Sequence, residues 1–312
     1  MYKEFYGFQR SPFEITPDPR FYFATPLHNE ALASLVYGVR ERKGFVVTTG
    51  EVGTGKSLLV HCFLQWLTRM SIPFSHIFNT RLSTLEFLQY FVSDLGIPIL
   101  QNKAGILIRL HQYLIEQYRR GSTTVLVVDE GQLLEWEVLE EIRLLTNLET
   151  VNQKLLQIIL VGQPELEHKM DSPELRQLKQ RIAFRCRLNP LSWEQTRAYI
   201  EHRLRIAGAN PRAAQLFPES TMTAIAEYSR GIPRLINTLC ENALIEGYAR
   251  QSHVITVEMI ARVAADSRLE SIQPCDLVSD SFDHTAVVKD LFTTVESPAP
   301  HSASKTAGEH GG

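Results

Sequence analysis

The segment GEVGTGKS, Gly50 to Ser57, constrains this chain more than any other. It satisfies the Walker A spacing Gly-x-x-x-x-Gly-Lys-Ser, with the apolar run GFVVTT before it and LLVHCFLQWL after it. A strand that ends in a glycine loop and continues as a helix is the context in which this spacing cradles phosphate. The glycines let backbone N–H groups converge on anionic oxygens without Cβ clashes. The helix start adds unpaired N–H groups and the positive end of its dipole. The expected cradle is Gly50, Glu51, Val52, Gly53, Thr54, Gly55, Lys56, Ser57 and Leu58. Lys56 is placed to reach the β and γ phosphates of ATP, and the Ser57 hydroxyl to ligate Mg2+. The alternative, a glycine-rich turn with a solvated lysine, leaves the flanking strand and helix unexplained.

A cradle becomes an enzyme only with a catalytic apparatus. TTVLVVDE (123–130) is the clearest buried strand of the chain and ends in Asp129 and Glu130. Asp129 fits the Walker B carboxylate that holds Mg2+ through water, and Glu130 is placed to orient an attacking water. Two solvated acids at a strand end are the alternative. Two acids, with no second motif of the kinase kind, point to water as the acceptor and to hydrolysis.

The same alternation of strand and helix runs through the first two thirds of the chain. Strands are expected at 44–49, 75–79, 123–130 and 155–162, and helices at 27–41, 57–68, 83–94, 103–119 and 135–149. Apolar runs continuous on both faces imply a parallel sheet covered by helices, an α/β class. After about Leu191 the strands stop and helical spacing takes over. Trp193, Ile200 and Leu204 mark one helix, Met222 and Ile225 a second, Ile232, Leu235 and Leu239 a third, and 257–264 a short fourth. Residues 1–25 are aromatic and rich in proline. Prolines 12, 17 and 19 exclude a regular helix, which suits an extended arm laying Phe5, Phe8 and Phe13 over a core. The expected division is 1–43 arm and first helix, 44–191 α/β core, 192–268 helical domain and 269–312 disordered tail.

Charge and cysteine usage set limits on function. The formal net charge of -3 exerts no strong pull toward nucleic acid or anionic membrane. The acidity belongs to the end: from Ser271 six acids face Lys289 and Lys305, and the remainder carries 30 basic against 29 acidic residues. Cys62, Cys186, Cys240 and Cys275 show no paired spacing, so free thiols are expected rather than a metal site or disulfides. No run approaches the ~20 apolar residues of a membrane span, and the start lacks a signal-peptide core. A cytoplasmic protein is expected.

At this point a resemblance enters. FYGF-x3-PF-x2-TPDPRF, then H-x-EAL-x2-L-x-YG, then GEVGTGKS resemble the AAA+ ATPases of the general secretion pathway called ExeA or GspA. Those of exopolysaccharide and exosortase loci share the pattern, and the TniB/TnsC-type transposition ATPases do so more distantly. The resemblance covers about residues 1–268. It implies a P-loop NTPase (AAA+) fold, a three-layer parallel-sheet core with a C-terminal helical lid domain. It also implies a homo-oligomer, ring-like, serving an unidentified protein partner of a secretion, envelope or export system. The family's DEAQ reads Asp129-Glu130-Gly131-Gln132 here, which keeps both acids. Secretion members also carry a membrane span and a peptidoglycan-binding domain, absent from 269–312, so only the ATPase module carries over.

The resemblance further implies roles for single residues. Gln163 takes the sensor-1 position, Arg234 in GIPRLIN resembles the sensor-2 arginine, and Arg181 in LKQRIAFR, with Arg176 as runner-up, resembles an arginine finger. Each has a plainer reading: a turn cap for Gln163, a surface charge for Arg234, and a solvated basic face for the cluster Arg176, Lys179, Arg181, Arg185 and Arg187. That cluster is also the only support for a nucleotide-gated DNA-binding adaptor, while a scaffold stabilised by ATP is a third possibility. His28 fits a helix start or the rim of an adenine pocket better than a catalytic role.

Overall fold

The computed structural model describes residues 1–16, 18–208 and 215–271; most of the expected tail, with Cys275, lies outside the described residues. Five strands, β1 (Phe45–Gly50), β2 (Phe74–Ile77), β3 (Thr124–Val128), β4 (Leu156–Gly162) and β5 (Phe184–Leu188), form one sheet in the order β2-β3-β4-β1-β5. Every pairing is parallel. Thr49 lies opposite Gly162 and Val128 opposite Leu160, so β1, β3 and β4 finish at the same edge. Ligands of open parallel sheets bind beyond the carboxyl ends of the strands.

The alternation of side chains along each strand divides the core in two. Phe45, Val47, Leu126, Val128, Ile158 and Leu160 pack with α4 (Thr84–Asp94), α5 (Lys103–Arg119) and α6 (Trp136–Leu145). Val46, Val125, Val127, Ile159 and Val161 pack on the other face with α2 (Pro26–Arg40) and α3 (Lys56–Arg69). Each fully buried aliphatic side chain contributes about 1.5–3 kcal/mol of transfer free energy, so covering both faces is the main stabilisation of the sheet. Helix starts are set by local chemistry. Ser83 and Glu86 form a capping box at α4, the Asn102 side chain accepts from the Gly105 N–H at α5, and Pro26 opens α2 behind the Thr25 cap.

Three expectations are corrected. A fifth strand, β5, joins those expected at 44–49, 75–79, 123–130 and 155–162 and takes up the end of the basic cluster: Phe184, Cys186 and Leu188 turn inward while Arg185 and Arg187 are exposed. Two helices, α7 (Pro164–Met170) and α8 (Arg176–Lys179), precede it. Helix α6 ends at Leu145 rather than 149, because residues 149–154 turn back through the Glu149–Lys154 bridge. The arm is not wholly extended either. Tyr2–Tyr6 forms helix α1, ahead of the first proline and closed by Gly7.

Helices α9 (Trp193–Ile206), α10 (Glu219–Ser229), α11 (Pro233–Ala249) and α12 (Val257–Asp266) surround an apolar core of their own, including Ile200, Ile225, Leu239 and Ile260. The arm belongs to this block. Tyr6, Phe8 and Phe13 are buried in its core, and the Phe5 ring stacks on His253 at 4.2 Å. Buried Arg203 of α9 pins the chain that follows. Its guanidinium donates to the Pro12 and Glu14 carbonyls and to the Tyr199 hydroxyl, and lies 4.5 Å from the Phe21 ring. Cys62, Cys186 and Cys240 are free thiols, as their spacing implies. Among the described residues no helix is long and apolar enough to cross a membrane.

Candidate functional site

Strand β1 delivers Gly50 to the sheet edge, and the chain turns through Gly53 (φ 84°) and Gly55 (φ 107°) before α3 begins at Lys56. Both glycines sit in backbone conformations that side chains resist. Both are also crowded: a Cβ on Gly53 would lie 2.7 Å from Arg234 Cβ, and one on Gly55 2.9 Å from His28 Nε2. Lys56 is 7% exposed, and its Nζ donates to the carbonyls of Gly50 at 2.7 Å and Glu51 at 2.9 Å. Burial lowers the Lys56 pKa, opposed by the negative charges of Glu130, Asp129, Glu51 and Glu165. The negative charges of Glu130 and Asp129 are thus felt at the Lys56 ammonium.

Asp129 and Glu130 lie just beyond β3. The Asp129 carboxylate accepts from the Glu130 N–H at 2.9 Å, and burial raises its pKa. Glu130 has φ 52°, a left-handed conformation uncommon outside glycine, where it leads into the short turn Gly131–Leu133. Its carboxylate accepts from Gln132 Nε2 at 2.6 Å and from Gln163 Nε2 at 3.2 Å, and Gln132 Oε1 accepts from the Gln163 N–H at 3.0 Å. The two glutamines and the acid close a ring of hydrogen bonds. Gly131, where the family has alanine, has a packing reason: an added Cβ would lie 2.7 Å from Leu160 Cδ1.

A cavity of about 450 Å³ opens over the loop. Val52 to Leu58, Glu130 and Gln163 line one end, and Ile15, Tyr22, Phe23 and Tyr199 the other. Helix α11 roofs it: the Arg234 N–H donates to the Gly53 carbonyl at 3.2 Å, and its side chain is an exposed part of the lining. His28 lies buried beneath Thr54 and Gly55, where burial lowers its pKa.

Most of the residues expected from the sequence converge here. Gly50, Glu51 and Asp129 flank the cavity rather than line it, while Ser57 is exposed at its edge. Arg181 is elsewhere: its guanidinium donates to Thr146 Oγ1 at 2.6 Å and Asn147 Oδ1 at 2.5 Å, beyond α6. Arg176 is exposed at the start of α8. The basic cluster is partly neutralised, since Lys179 pairs with Asp171. Sequence reasoning missed Gln132 as a site residue and Arg203 as a pocket residue. Gln132 could have been found as the polar position following the two acids; nothing local marks Arg203.

Chemically, the loop offers N–H donors and an ammonium for phosphate, and Ser57 and Asp129 offer hard oxygens suited to Mg2+. Among the described residues no group of three His, Cys, Asp or Glu could hold a metal ion alone.

Comparison with known proteins agrees with this geometry. The family described as AAA domain (AAA_22) matches residues 39–170. General secretion pathway protein A of Aeromonas hydrophila is 42% identical over 260 residues, covering 82% of this chain and 46% of that protein, so the chain spans about half the length of this relative. The fold is also that of the Aeropyrum pernix ORC2 protein (ADPNP-ADP complexes), with a TM-score of 0.60 at 15% identity, covering 85% of this chain and 73% of that one. Cdc6p of Pyrobaculum aerophilum superposes with a TM-score of 0.61 at 16% identity, covering 82% and 70%. The Thermotoga maritima RuvB branch migration motor gives 0.51 at 13%, covering 76% and 68%. With the sheet order, the phosphate loop and these likenesses in hand, the chain belongs to the AAA+ P-loop ATPase family and is of the general secretion pathway protein A type.

Proposed function

We propose that the protein binds ATP with Mg2+ and hydrolyses it to ADP and phosphate. The observation that carries this reading is the hydrogen-bonded ring of Glu130, Gln132 and Gln163, two of whose members, Glu130 and Gln163, line the same cavity as Lys56. Loop N–H groups and Lys56 hold the phosphates, and Lys56 exchanges its carbonyl partners for phosphate oxygens. Ser57 and Asp129 would hold Mg2+, which would supply positive charge to the phosphate oxygens. Glu130 takes a proton from the attacking water as its oxygen bonds to the γ phosphorus and the bond to the ADP oxygen breaks. Gln163 and Gln132 aim the Glu130 carboxylate, and Arg234, carried on the helical lid, meets the phosphate charge from above.

The reading extends to an oligomer in which Arg181, or Arg176, supplies fixed positive charge to a neighbouring subunit's nucleotide. Likeness to general secretion pathway protein A supports service to secretion, envelope or polysaccharide-export machinery. The test is steady-state phosphate release, with ATP binding followed by calorimetry. Glu130→Gln is expected to bind ATP while turning over at least about 100-fold more slowly, and Lys56→Ala to lose binding. Turnover that survives either change rejects the assignment.

A further inference from the structure

The phosphate loop is fastened by a side chain outside the Walker motifs, His28, which also lines the cavity. His28 Nε2 lies 3.1 Å from the Thr54 carbonyl oxygen, and its Nδ1 lies 2.6 Å from Thr25 Oγ1. Thr54 is fully buried and His28 is 7% exposed, so neither group exchanges its partner for bulk water. A carbonyl can only accept, which places the ring proton on Nε2. A neutral ring then accepts at Nδ1 from the Thr25 hydroxyl, while the same hydroxyl accepts from the His28 N–H at 3.2 Å and caps α2. The Thr54 carbonyl therefore selects the tautomer, and the Thr25 hydroxyl, able to donate or accept, complements it. No peptide bond of the described residues is cis. The Gly55 N–H accordingly points away from the imidazole to which the Thr54 carbonyl is tied.

We propose that His28 is a positioning residue that fixes the Thr54–Gly55 peptide so that the Gly55 N–H is presented to the phosphate of a bound nucleotide. The proposal rests on the ATP-binding reading above. Without the imidazole donor, the buried Thr54 carbonyl lacks a partner, and a peptide that leads into a glycine can rotate to find one. Glutamine carries an N–H at the distance of Nε2, so it can replace the donor; asparagine is too short.

The test compares His28→Ala, His28→Asn and His28→Gln in two measurements: ADP affinity by calorimetry, and deuterium uptake of the 50–57 segment without nucleotide. Alanine and asparagine are expected to weaken ADP about five- to tenfold, the effect of one lost buried hydrogen bond, and to speed exchange in the loop. Glutamine is expected to restore both. If His28→Ala does not fold, Thr25→Val against Thr25→Ser replaces it, with valine alone weakening ADP. The inference is overturned if glutamine is as damaging as alanine, or if alanine changes neither measurement. A wild-type chain that binds no ADP rejects the nucleotide reading instead, and the exchange measurement still decides whether His28 holds the loop.

Discussion

Gln163 donates its side-chain amide to the Glu130 carboxylate across 3.2 Å, joining the end of β4 to the end of β3 at the point where the phosphate loop faces both. Gln132 grips the same oxygen from the other side at 2.6 Å. An acid held by two neutral donors loses its freedom to turn. Gln132→Ala or Gln163→Ala is therefore expected to lower kcat about ten- to 100-fold with ATP affinity within about twofold, because the ring acts on the water and not on the phosphate loop. Steady-state rates beside calorimetric affinities separate the two. A change in affinity alone would assign the glutamines to binding.

Acid sensitivity follows from the burial of His28. Its folded pKa is depressed, so the unfolded chain binds the proton more readily. The stability due to the neutral ring is present above the unfolded value of about 6.5 and is lost as pH falls through the folded one. His76 and His202 are depressed in the same direction, also by burial. Denaturant melts between pH 7.5 and pH 5 are expected to show declining stability on acidification, with a shallower decline in His28→Gln.

Arg203 is 5% exposed, and its bonds go to carbonyls and a hydroxyl rather than to a carboxylate. Truncation to alanine leaves the Pro12 and Glu14 carbonyls unpaired and removes the cation from the Phe21 ring. A loss of about 2–4 kcal/mol is expected, with early proteolysis in the first 25 residues. Lysine cannot span the same fork of acceptors and is expected to recover less than half of the loss. Thermal melts and limited proteolysis check both.

Arg181 donates to Thr146 and Asn147 beyond α6. If it serves a neighbour's site, Arg181→Ala lowers ATP turnover about 10³-fold in concentrated protein while leaving nucleotide affinity and the dilute basal rate unchanged. Rates measured against protein concentration decide the matter. Unchanged turnover at high concentration transfers the role to Arg176 or removes it.

The residues that were legible in the sequence are those whose chemistry is local. Gly53, Gly55, Lys56 and Ser57 announce their loop because the backbone and the phosphate impose a fixed spacing on one short segment. Strands β1, β3 and β4 are buried on both faces and read as unbroken apolar runs. Strand β5 is half-covered at the sheet edge, so Arg185 and Arg187 masked the inward Phe184, Cys186 and Leu188. The bonds from His28 to Thr54 and from Arg203 to Glu14 join residues 26 and 189 positions apart, which no periodicity records.

The arm reaches the sheet only after crossing the cavity. Its first residues are seated in the helical block, α2 lies on the sheet, and Ile15, Tyr22 and Phe23 between them form a wall of the pocket. The two blocks are thus strapped together on the cavity side, while Gly53 and Arg234 join them at the loop. Whatever fills the space acts as a shim under that strap. Rocking one block against the other has to stretch or slacken the wall.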